Sequence, residues 1–120
     1  VVMNPNELLY VAKVTARAMH EAGYRPPPPP VFPAAGRSAI ATIESQLVNM
    51  RDGGYISPHD FRIGMAIAEA LCGGAVEEGS MIDEQWILDI ERLHFVELLK
   101  TPKTQERIAY MLTNGKPLRN

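Results

Sequence analysis

Three histidines, one cysteine and several neighbouring acids are the side chains of this 120-residue sequence with chemistry to offer. A zinc-binding helix needs two ligands one turn apart on the same face, and His20, His59 and His94 stand in no such spacing. His59 falls in a helix-start turn, where an exposed ring is expected. His94 falls on a broadly apolar stretch, where an imidazole ordinarily serves a core or an interface. Acids adjoin at Glu77-Glu78, Asp83-Glu84 and Asp89/Glu91, but acid–base work needs two carboxyls in one pocket with environments that separate their pKa values. Adjacent acids in loops and first turns are ordinarily solvated instead. Cys72 ends an apolar run with no basic side chain beside it, the setting of an inert packed thiol. Gly53-Gly54 and Gly73-Gly74 lack the spacing and the following lysine and serine or threonine of a phosphate loop, and read as helix exits. Nothing assembles a nucleophile, a base and an oxyanion site, so no catalytic residue and no metal ligand is expected.

The elements that would position these side chains are helices. Asn6 is placed to cap a first one, in which Leu8, Val11, Ala12, Thr15, Met19 and Ala22 recur at intervals of three and four before Gly23 stops it. Pro26 to Pro30 cannot continue a helix, because each ring removes an amide donor and pushes its predecessor toward extended geometry. A stiff proline-rich spacer over 26–33 is predicted, in preference to a ligand for a proline-reading module. Ile40, Ile43, Leu47 and Met50 predict a second helix from Ala34 to about Met50, ended by Asp52-Gly53-Gly54. Ser57, Pro58 and Asp60 form a helix-start signal. The third helix then runs to Leu71 or Cys72, with Phe61, Met65 and Ala68 on one stripe and Gly64, Ile67 and Leu71 on the next. Asp83 caps a fourth, whose apolar residues from Trp86 to Leu99 cover so much of its circumference that it wants cover on more than one side. Thr101-Pro102 starts a fifth, with Ile108, Met111 and Leu112 as its stripe and Gly115 and Pro117 as its close. The fold class is all-α, about five helices in a single helical domain over 1–120, with no strand.

Composition narrows the partners. A chain of this length buries roughly two-thirds of its unfolded surface in one compact core, and 46% hydrophobic with 22% charged residues is ordinary for a globular protein. The net charge of −2 and the dispersal of Lys13, Arg17, Arg37, Arg51 and Arg62 among acids exclude a phosphate-neutralising stripe, so nucleic acid is not an expected partner. A lone cysteine forms no disulfide within the chain and fits a cytoplasmic setting. No apolar run is long enough for a membrane span, and the opening residues lack a secretory signal. The start at Val1, with no initiator methionine, reads as an excised fragment.

Asp83 to Asn120, through Glu91-Arg92, Phe95, Leu98-Leu99, Thr101, Glu106-Arg107-Ile108, Met111-Leu112 and Gly115-Lys116-Pro117-Leu118, resembles the C-terminal helices of the crotonase (enoyl-CoA hydratase/isomerase) superfamily. Val11 to Pro27, Asp52 to Gly74 and Asn114 to Asn120 are similar to the tail of bacterial proteins that fuse a 3-hydroxyacyl-CoA dehydrogenase to such a hydratase. Tyr55 to Gly74 is also similar to the helical C-terminal domain of the dehydrogenases, which would make this tail a degenerate dimerisation domain. The resemblance implies a parent that hydrates a 2-enoyl-CoA and oxidises the 3-hydroxyacyl-CoA with NAD, its catalytic groups lying upstream and no cofactor being held by this piece itself.

It also implies terminal helices that pack across subunits and help close the acyl-CoA pocket. Met111 and Asn114 stand where the family has a phenylalanine and a lysine near the acyl-CoA. Asn114 cannot supply that charge; Lys116 or Arg119 could, an exposed cationic tail being the plain alternative. The expected partners are upstream domains of the same chain and further copies in a homo-oligomer, met through Trp86, Ile90 and Phe95. A free-standing helical interaction module, binding through the proline run or the fourth helix, is the competing reading.

Overall fold

Capping decides where most of the chain's helices begin. In the computed structural model, which describes residues 3–120, the helices are α1 (Leu8–Glu21), α2 (Gly36–Asp52), α3 (Pro58–Cys72), α4 (Glu84–Leu99) and α5 (Pro102–Asn114). Ser57 and Asp60 form a reciprocal capping box at the start of α3, with Pro58 in the first turn where its missing amide costs nothing. Asp83 accepts from the Trp86 amide at 2.8 Å to start α4, and Thr101 caps α5. The first helix departs from expectation. Asn4, not Asn6, is the cap: its side chain accepts from the Asn6 amide at 3.1 Å and opens a 3-10 turn, Pro5–Glu7, that leads into α1. Pro5 explains the shift, since a proline fits the first turn after a cap and moves the cap one residue ahead of it.

The start of α2 is capped from far along the chain. Ala35 offers no capping side chain, and the helix begins at Gly36 rather than Ala34. The Arg37 amide donates to the Val76 carbonyl at 3.0 Å, the Arg37 guanidinium to the Ala75 carbonyl and Glu77, and the Ser38 hydroxyl to Glu78. Glu77 and Glu78 are therefore tied to the positive end of α2, where carboxylates are favoured. Gly36 has φ +67°, and a Cβ there would stand 2.6 Å from the Val76 oxygen, so only glycine fits the joint.

Two short strands correct the expectation of none. β1 (Val31–Pro33) pairs antiparallel with β2 (Met81–Asp83), Phe32 opposite Ile82. Three residues each, with a proline at the end of one, leave no alternation to read in sequence. The pairing follows from the loop that caps α2, and Ala34 extends it by donating to Ser80 and accepting from Gly79.

The expectation of one compact core does not hold. The buried apolar residues are Ala34, Ala68, Cys72 and Ile82, clustered where the strand pair meets the exit of α3. α2 and α3 pack closely, Leu47 lying against Gly64 and the Arg51 guanidinium 4.7 Å over the Phe61 ring. The radius of gyration is 20.2 Å, well above the roughly 14 Å of a compact chain of this length. α1 has no buried residue, and the packing it makes is with the 3-10 turn that precedes it.

Candidate functional site

Among the described residues, the broad apolar circumference of α4 is covered chiefly by α3, with β2 and α5 meeting its ends. The Trp86 indole N–H donates to the Gly73 carbonyl at 2.9 Å, and Ile90 lies against Gly74. Gly73, at φ +81°, brings the α3 exit so close that an added Cβ would meet Ile82 at 2.6 Å. Of the three side chains expected at an interface, Trp86 and Ile90 thus contact the chain's own α3 exit, and Trp86 keeps 47% of its surface exposed.

Phe95 faces a different place. Between α3 and α4 runs an open groove of about 410 Å³, walled by Ile63, Ile67 and Leu71 on one helix and Ile87, Phe95 and Leu98 on the other. Leu71 is 73% exposed and Phe95 59%, so apolar surface lies in water that a lone globular chain would normally cover. Glu91 and His94 are the polar side chains of its lining, and His94 Nε2 meets Glu69 at 2.8 Å. The Gly64–Ile67–Leu71 stripe legible in the sequence is therefore divided: Gly64 meets α2, while Ile67 and Leu71 face the groove.

A polar cluster holds α5 to α3. Arg107 donates to Asp60 at 2.7 Å and to the Asn120 side chain at 2.7 Å, and His59 Nε2 shares a hydrogen bond with the Thr104 hydroxyl at 3.0 Å. Asp60 is held down at about 2 by the Ser57 amide first and the Arg107 guanidinium second. His59 is buried, against the expectation of an exposed ring, because the first turn of α5 lies on it. Burial, then repulsion from Arg107, Lys103 and Arg62, lowers its pKa, with Asp60 opposing. The cluster is fully occupied by its own members, a structural clamp with no open coordination or reaction space.

The residues expected near acyl-CoA are not gathered into a pocket. Met111 is exposed on α5, and Lys116 and Arg119 are exposed in the segment beyond it, which Asn120 ties back to Lys103, Glu106 and Arg107. Cys72 is buried among the strand-side core residues. Among the described residues no three His, Cys, Asp or Glu side chains gather as a metal site would require, and no helix is long and apolar enough to cross a membrane. What the arrangement can do is bind an apolar surface. The groove itself was not read from sequence; the signal for it was the excess of apolar positions on α4.

No protein-family profile matches the chain, and no solved structure matches it. Over 118 residues, 98% of its length, it is 39% identical to a probable 3-hydroxyacyl-CoA dehydrogenase of Bacillus subtilis (strain 168). It spans only 15% of that protein. The chain is homologous to one region of a much longer probable 3-hydroxyacyl-CoA dehydrogenase.

Proposed function

We propose that this chain is the C-terminal helical region of a cytoplasmic β-oxidation enzyme, one that joins an NAD-dependent 3-hydroxyacyl-CoA dehydrogenase to an enoyl-CoA hydratase. Its work is assembly and closure of the acyl-CoA pocket, the chemistry being done elsewhere in the parent. The observation that carries this reading is the open groove between α3 and α4, set beside near-complete alignment with part of a probable dehydrogenase. An enzyme region without a reaction site of its own still contributes binding energy if it excludes water from a pocket built by others. In that setting the upstream domains and further copies cover the apolar faces of α4 and α5. Met111 lies against the acyl or pantetheine portion, and Lys116 or Arg119 meets a CoA phosphate.

The test is acyl-CoA turnover by the full-length parent, by a version truncated before Asn4, and by the 120-residue chain alone, with assembly mass followed in parallel. Loss of hydratase turnover with altered mass in the truncated protein, and none in the isolated chain, is the expected result. Full activity at unchanged mass would overturn it. The competing reading, a helical interaction module, draws on the unpartnered face of α1 and would take the lead in that case.

A further inference from the structure

We propose that α5 and the residues after it form an acid-released arm: a proton on His59 opens the clamp to α3 and frees residues 102–120 to turn about the Lys100–Thr101 junction, while α2, α3 and α4 stay packed. The release does not depend on which reaction the parent performs.

α5 is held to the body by polar contacts. It has no buried residue. Thr104 and Arg107, one turn apart, are its half-buried members, whereas Ile108, Met111 and Leu112 are exposed. Apolar burial is indifferent to a change of charge nearby, but a hydrogen-bonded cluster in a part-buried site is not. The arm also moves as one piece, because its end is folded back on α5. Asn120 donates to the Lys103 carbonyl at 3.2 Å and to Glu106 at 2.6 Å, and accepts from Arg107 at 2.7 Å. Between Leu99, where α4 ends, and Pro102, where α5 begins, lie Lys100 and Thr101, a junction of the kind that serves as a hinge.

His59 is the titrating member of the clamp. Its ring is buried at the start of α3. Nε2 meets the Thr104 hydroxyl at 3.0 Å, that hydroxyl lies 2.9 Å from the Thr101 hydroxyl, and Thr101 donates to the Leu98 carbonyl at 2.7 Å. A protonated ring still donates into this chain, so the hydrogen bond survives the proton. The charge is what the site opposes. Arg62 and Asp60 on α3 and Lys103 and Arg107 on α5 surround the ring, three cations to one carboxylate. Asp60 is already engaged by the Arg107 guanidinium and the Ser57 amide, and Glu106 by Asn120.

Burial first, then repulsion from Arg107, Lys103 and Arg62, holds the proton off while the clamp is closed. Opening exposes the ring and carries Lys103 and Arg107 away, so the free ring titrates near its ordinary 6.5. Protons therefore favour the open arm: docking is strongest above pH 6.5 and weakens as pH falls toward the closed value. Asp60, held at about 2, stays ionised throughout that window. One proton weakens docking by at most about tenfold between about pH 7.5 and about pH 5.5.

The test is hydrogen exchange of the 120-residue chain, resolved by helix at those two pH values, each rate referred to the intrinsic rate at the same pH. Protection of α5 is expected to fall several-fold, and by no more than about tenfold, while that of α2 and α3 holds. His59→Gln keeps a partner for Thr104 without a titrating group, and should abolish the fall. Lys103→Gln, at an exposed position, removes one repelling cation and should lessen it. His94→Gln, which alters the ring paired with Glu69 between α3 and α4, should leave it intact. Protection of α5 that is the same at both pH values, a fall shared by α2 and α3, or a fall undiminished in His59→Gln and Lys103→Gln would each overturn the release. None of these results touches the turnover experiment on the full-length parent.

Discussion

The joint around Gly36 and Gly73 and the two terminal helices obey different rules. At the joint, a loop capping α2, a strand pair and the exit of α3 meet with so little space that glycine is required twice. At the ends, α1 and α5 are amphipathic helices with good local starts and no buried residue. The joint is specified by contact between residues about forty positions apart, whereas the starts of α1 and α5 are set by signals within a single turn. The lesson is that a well-started helix is not thereby a covered one.

Substitution should separate the two regions by the size of its effect. Gly73→Ala combines a left-handed backbone with a Cβ 2.6 Å from Ile82, and about 3 kcal/mol of lost stability is expected from strain and overpacking together. Gly115→Ala has a similar φ, +63°, but open space around it, so about 1 kcal/mol is expected. Urea denaturation of both variants measures the difference, and equal losses would break the distinction.

The clamp between α3 and α5 should give an intermediate effect that depends on pH. Asp60, held at about 2 against an ordinary 3.8, contributes about 2 kcal/mol that is present above pH 4 and lost as pH falls through 2. Asp60→Asn should remove that dependence. His59 acts earlier. Its lowered pKa means the unfolded state binds the proton more tightly, so stability is highest above pH 6.5 and falls as pH drops through the folded value. Denaturation midpoints from pH 8 to pH 2, compared with His59→Gln, should show that first loss vanish while the Asp60 loss remains.

The smallest effect is expected at α1. Val11→Glu, on a helix with no buried residue, should change the stability of the monomeric body by less than about 0.5 kcal/mol. Hydrogen exchange resolved by helix should show α2 and α3 unaltered. A large loss there would mean that α1 is already part of the core.

The start of α3 was legible because Ser57, Pro58 and Asp60 lie within one turn, and the starts of α4 and α5 for the same reason. Asn6 misled because Asn4 offers the same side chain in a better place, one residue before a proline. β1 and β2 were not legible, since three residues carry no period and Pro33 argues against a strand. His59 was misplaced because its burial comes from Thr104, on a helix whose approach no local pattern records. The sequence by itself determined the helices, the caps of α3, α4 and α5 and the excess of apolar surface on α4, because those are written within one turn or at intervals of three and four residues. Only the tertiary structure decided which apolar faces meet and which stay open, because long-range contacts, the α2 cap from residues 75–80 above all, set the distance between elements.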